Sequence, residues 1–180
     1  MNSQLDKFLQ PMEVNKQQIL GMASRLTEEE LHWKASPEEW SVAQVLDHVI
    51  FSEQSALQYC AKKLQAGDQI PDATLWNTWK IRIYFWALET KLRFKAPKQI
   101  SKPANDYSLE ELTSRWHQTR TDYRSFLSDY PEKYLNKAVF RHPLAGRIKL
   151  SEMLKFLNVH IVHHHYQVNR ILEAISQRSV

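Results

Sequence analysis

Three times along this chain a serine or threonine stands three residues ahead of a glutamate or glutamine at the head of a helical pattern: Thr27 and Glu30, Ser41 and Gln44, Ser108 and Glu111. In this spacing the hydroxyl accepts from the backbone N–H of the third helical residue while the longer side chain reaches back to the cap N–H, so the pair fixes where a helix starts. Trp40 and Val45 add the two positions of a hydrophobic staple around Ser41. With only 3 Gly against 7 Pro, and few Val-Ile-Thr runs with strand alternation, the chain suits long helices joined by proline-marked loops. The expected class is all-α.

The apolar spacing places the helices. A first runs from about Pro11 to Leu26, with Met12, Val14, Ile19, Leu20, Met22 and Leu26 facing inward. A short turn after Thr27 ends at Pro37. The Ser41 box opens a helix at about 42 to 65, ended near Gly67. The segment from Leu75 to Phe94, rich in Trp and Tyr, is also read as helical. Ser108 opens a helix to about Leu127, and residues 131 to 149, with Pro131, Pro143 and Gly146, read as an irregular crossing. Ser151 is expected to cap a last helix running nearly to the C-terminus. At 180 residues one domain, 1–180, is expected to hold all of this around one core.

Charge and cysteine usage exclude several classes. Twenty-four Lys and Arg stand against twenty Asp and Glu, but they are interspersed, and no block of five basic residues offers a nucleic acid a concentrated footprint. The single cysteine, Cys60, excludes an intrachain disulfide framework and a Cys-rich metal site. The first residues form no apolar signal stretch, and Ile81 to Leu88 is far shorter than the ~20 residues of a membrane span. A cytoplasmic protein is the expectation. No G-x-S-x-G, Walker or dinucleotide-binding glycine pattern is present.

The histidines carry the chemistry. His160 and His164 are four apart on the last helix, so they leave one face a turn apart, where two imidazoles reach a common ion. Gln167 continues that face. His48 lies on the Ser41-capped helix in a polar lane of Gln44, His48, Ser52 and Ser55 flanked by Val45 and Val49, the lining expected of a site between helices. His163 competes for either position of the pair, while His165 lies well around the helix. Three neutral imidazoles suit zinc or nickel, with iron or manganese next, and leave coordination positions for water or substrate. Water on such an ion has its pKa lowered to about 7. The zinc peptidase motif is absent, because Ile161 stands where its glutamate belongs. Asp47 is read as a surface charge, Glu53 and His142 as lesser candidates for proton transfer or substrate contact, and Trp76, Trp79 and Trp86 as core or interface aromatics.

Two segments, EEWSVAQVLDHVI with Trp40, Ser41 and His48, and FRHPLAGRIKLSEMLKFLNVHIVHHHYQVNRI with His160, His164 and Gln167, resemble the DinB-like superfamily of four-helix proteins over nearly the whole chain. RFKAPKQI and HPLAG resemble one branch of it. The resemblance implies a four-helix bundle with short additional helices in the connections. It also implies one divalent metal ion on His48, His160 and His164; Gln44, Ser52, Gln167 and His163 are expected around it from the spacing above. Metal-dependent hydrolase-like proteins and bacterial thiol S-transferases occur in that superfamily, so the activity implied is metal-dependent transfer of a low-molecular-weight thiol to an electrophile, or hydrolysis, on a small molecule. The competing expectation is a non-enzymatic metal- or ligand-binding stress-response protein. A homodimer is expected, because dimers are common among such proteins.

Overall fold

The computed structural model describes residues 3–89 and 103–178. Six helices and one small hairpin follow in order: α1 (Ser3–Ala23), α2 (Glu28–His32), α3 (Val42–Leu64), α4 (Leu75–Glu89), α5 (Leu109–Ser128), β1 (Phe140–His142), β2 (Gly146–Ile148) and α6 (Leu150–Arg178). Single 3-10 turns at Gly67–Gln69 and Glu132–Tyr134 punctuate the connections. Among the described residues the fold is therefore all-α apart from that hairpin.

All three capping boxes form, with both reciprocal hydrogen bonds present at Thr27, Ser41 and Ser108. Four helices close a ring in which α1 packs on α5 and α6, and α3 packs on the same two. Met12 and Ile19 of α1, Val45, Leu46 and Val49 of α3, Leu112 and Trp116 of α5, and Met153, Leu154 and Ile161 of α6 are fully buried between them. α4 stands outside this ring and leans on α6. α3 and α6 are in direct contact, which brings the two histidine-bearing faces together.

Three expectations are corrected. α1 starts at Ser3 and carries Pro11 in its interior, because Leu5 and Leu9 before the proline and Met12 after it are all buried, and their packing outweighs the one backbone hydrogen bond a proline cannot make. Val14 is 51% exposed, and its expected inward place is taken by Lys16, which is fully buried. α6 starts one residue before Ser151. The N–H of Lys149, just ahead of it, donates to Glu152 Oε2 at 2.9 Å, and Ser151 lies inside the first turn.

The crossing at 131–149 contains an antiparallel pairing, Phe140 to Ile148, Arg141 to Arg147 and His142 to Gly146. Three-residue strands are too short to leave an alternation in sequence. Gly146, at φ 81°, sits where L side chains rarely go, and a Cβ there would meet Asn77 Oδ1 at 3.3 Å. α4 covers Leu75–Glu89; the rest of that predicted helix, to Phe94, and the RFKAPKQI run lie outside the described residues. No helix among the described residues is long and apolar enough to cross a membrane.

Candidate metal centre

His48, on the second turn of α3, and His160 and His164, one turn apart on α6, point their rings at one spot. Each offers a ligand nitrogen, and these atoms lie within 4.8 Å of one another. His160 Nε2 is 3.3 Å from His48 Nε2 and 3.1 Å from His164 Nε2. With metal–nitrogen bonds of about 2.0–2.1 Å, neighbouring ligand nitrogens stand ~3.0–3.4 Å apart, so these separations suit adjacent ligands of one ion.

The protonation pattern favours the same reading. His164 Nδ1 lies 2.8 Å from Gln167 Oε1 and donates to it, which leaves a lone pair on His164 Nε2. Burial pushes the His48 imidazole down to about 4, with the charge of His163 adding to the effect and Asp47 opposing it. Burial likewise holds His160 and His164 well below the usual histidine range, and the neighbouring imidazoles lower both further. All three are neutral at pH 7, the form a metal ligand needs. Hydrogen bonding alone satisfies them poorly: one proton on His160 Nε2 serves only one neighbour, and His160 Nδ1 is buried with no partner. A cation receiving three Nε2 lone pairs resolves the competition at His160 Nε2 and fixes the ring proton on Nδ1.

Trp40 closes one side. Its indole stacks near-parallel on His164 at 6.4 Å and tilts against His48 at 5.0 Å. The Ser41 cap holds Trp40 immediately before α3, so the staple residue also becomes a wall of the site; the staple signal located Trp40 but said nothing of its reach to two imidazoles. Phe156 borders His160 at 5.6 Å between ring centres, and the buried His142 packs edge-on to Phe156 at 4.6 Å. His142 Nδ1 accepts from Leu144 N and Ala145 N, which puts the ring proton on Nε2, and burial lowers its pKa to about 4.

The other predicted residues are placed as follows. His163 packs its ring 5.3 Å from His164. Ser52 is half-buried on α3. Gln44 turns toward the cap and the loop, since its Oε1 accepts from Ser41 N at 3.3 Å and its Nε2 donates to Pro103 O at 3.0 Å. Asp47, expected at the surface, is buried: its carboxylate pairs with Arg115 at 2.7 Å and accepts from Ala104 N at 2.9 Å. The partner 68 residues away on α5 leaves no local sequence signal. Both Glu53 oxygens are held by Arg120.

A helical ring with three inward neutral imidazoles on two adjacent helices defines a class of bundle proteins able to hold a divalent ion between helices. The sequence model of the DinB superfamily matches residues 12–168, and this chain belongs to that superfamily. No curated protein matches the chain.

Proposed function

We propose that this protein is a divalent-metal-dependent enzyme acting on a small molecule, transferring a low-molecular-weight thiol to an electrophile in preference to hydrolysing it. The observation that carries the reading is the convergence of three neutral imidazole nitrogens at 3.1 and 3.3 Å. A zinc or nickel ion bound there supplies Lewis acidity, making a coordinated thiol or water acidic enough to be nucleophilic near neutral pH. His48, His160 and His164 would hold that ion. Trp40 keeps bulk water from the His48 and His164 rings. The thiol must come from outside the chain, because the one cysteine, Cys60, is buried and its thiol is pushed up to about 12. That favours a free thiol as co-substrate over a protein nucleophile.

Elemental analysis of untagged protein purified without chelators tests the site, comparing wild type with the His160→Ala, His164→Ala double variant. About one divalent ion per chain in the wild type and little in the variant is the expected result for a three-histidine site. A screen of low-molecular-weight thiols against electrophiles then tests the activity. Thiol consumption that disappears on chelation and returns with the same metal supports transfer. Metal binding without turnover of any thiol or hydrolysable substrate, with a large loss of thermal stability on chelation, would make the ion structural and the protein non-enzymatic.

A further inference from the structure

The β1–β2 hairpin sets two arginines directly opposite each other. Its register pairs Phe140 with Ile148, Arg141 with Arg147 and His142 with Gly146. Side chains alternate across a strand, so His142 and Ile148 turn inward and are buried, while Arg141 and Arg147 both turn outward and are exposed. Partners on one face of an antiparallel pair have Cβ atoms about 4.5–5.5 Å apart, and like charges in that position destabilise the pair. The fold does not relieve this repulsion. Among the described residues the ion-paired arginines are Arg115, Arg120, Arg124 and Arg178, and neither hairpin arginine is one of them.

The surroundings engage the other local cations and leave these two. Between Glu132 and Glu152 the chain carries Lys133, Lys137, Arg141, Arg147 and Lys149 and no acid. Lys133 pairs with Asp68 at 3.1 Å and Lys137 with Asp72 at 3.0 Å, while Lys149 Nζ donates to Asn136 Oδ1 at 3.0 Å. The two arginines stand on a braced frame. Asn77 Nδ2 donates to Arg147 O at 3.0 Å, His142 Nδ1 accepts from Leu144 N and Ala145 N, and Gly146 takes the left-handed turn. A pair of side chains on so fixed a backbone loses little freedom on binding.

We infer that Arg141 and Arg147 form a phosphate-binding site, in which the two guanidiniums clamp one phosphate group between them. A carboxylate has a single charge and two oxygens, which one guanidinium already satisfies in bidentate fashion. A phosphate monoester carries about −1.5 to −2 at pH 7 and three terminal oxygens, so it neutralises both arginines and offers an edge to each planar fork. The site is separate from the metal centre, because His142 turns to the other face of the hairpin. The same chemistry comes from a soluble phosphate monoester or from a headgroup at a lipid surface. Leu144, 68% exposed in the turn between the two arginines, separates these sources, since only a lipid surface buries its side chain.

Titration of inorganic phosphate into the full chain in low-salt chloride buffer, followed by backbone amide NMR, tests the inference. Saturable shifts confined to the hairpin are expected, with acetate binding about tenfold more weakly or worse. Arg141→Gln and Arg147→Gln should each weaken phosphate binding about tenfold or more, while Arg124→Gln, at an arginine that is 55% exposed, should not. Thermal melts give a second readout. Without phosphate each hairpin variant should melt above the wild type, because the repulsion is gone, and phosphate should raise the melting temperature of the wild type alone. Absence of saturation, equal binding of acetate, or shifts that persist in both hairpin variants would each overturn the assignment. Co-sedimentation with phosphatidic acid vesicles, lost in Leu144→Ser although that variant still binds inorganic phosphate, would name a lipid headgroup as the source. Failure of the wild type to sediment with those vesicles, with phosphate binding intact, would name a soluble phosphate.

Discussion

Gln167 decides which nitrogen of His164 is free. Its Oε1 accepts from His164 Nδ1–H at 2.8 Å, so the ring presents a lone pair on Nε2 at the point where His48 and His160 also meet. Replacing it with alanine should leave the ring in place but free its tautomer and orientation, lowering metal affinity about 10–100-fold in a chelator-competition titration. His164→Ala, which removes the ligand itself, should cost more. An unchanged affinity in Gln167→Ala would show that packing alone orients the ring. The His160 and His164 spacing was legible because four residues on a helix is a local relation. Gln167 was legible on the same ground. His142 was less so, because its environment is made by a hairpin whose strands were too short to read. Burial lowers His142 to about 4, while in the unfolded chain it titrates near 6.5. Between those values the unfolded state binds the extra proton. Its contribution is therefore fully present above about pH 6.5 and is lost as pH falls toward 4, at most about 3 kcal/mol from one group. His142→Asn, which keeps an acceptor for Leu144 and Ala145 but cannot titrate in this range, should flatten the fall in melting temperature between pH 7 and 4; a slope equal to wild type would assign the loss elsewhere.

Helix starts are the most readable part of the sequence, because a capping box is a relation between residues three apart and needs no tertiary knowledge. All three formed. The Ser41 box also reaches a distant segment. Ser41 Oγ bonds Asn105 Oδ1, and Asn105 Nδ2 donates to His32 O at 3.2 Å, so the cap of the His48 helix also anchors the chain entering α5. Ser108 caps α5 at the surface with no such link among the described residues. Ser41→Ala should consequently destabilise by more than the ~1 kcal/mol expected of a cap alone, and by more than Ser108→Ala, in paired thermal melts. Equal losses would mean the Asn105 link is worth nothing. The α1 start is hidden from local reasoning because a proline by itself reads as a helix breaker, whereas buried residues on both sides hold the helix through it. Pro11 is exposed, so Pro11→Ala removes no packing and restores a backbone donor. A gain of about 1–3 kcal/mol is expected, a rise in melting temperature of several degrees for a chain of this size; a fall would show that the proline's rigidity matters more than its missing N–H.

At the scale of the whole molecule the least legible feature is a set of charges inside the ring. Lys16 and Glu13 of α1, Glu53 of α3 and Arg120 of α5 form one network: Lys16 Nζ lies 2.7 Å from Glu13 Oε1, and Arg120 Nη2 donates to Glu53 Oε1 at 3.0 Å and to Met12 O at 3.3 Å. Tyr123 of α5 donates to Glu53 O at 2.8 Å. Lys16, Glu53 and Arg120 are all but fully buried. Single-sequence reasoning assigns charged residues to the surface, and only the packing of three helices brings these together, so an apolar stripe through Val14 reads better than one through Lys16. Two acids and two bases balance, and Arg120 ties α5 both to Glu53 of α3 and to Glu13 and Met12 O of α1. Removing one partner strands a buried charge. Glu53→Leu should therefore cost about 3–5 kcal/mol in denaturant unfolding, as should Arg120→Met. Burial of two opposite charges is itself expensive, so the double variant, apolar at both positions, should be less damaged than either single change. A double variant as unstable as the sum of the singles would mean the two residues act independently and the network does not hold the ring together. If the double variant matched wild-type stability but lost the metal, the network would serve to align the α3 face that carries His48.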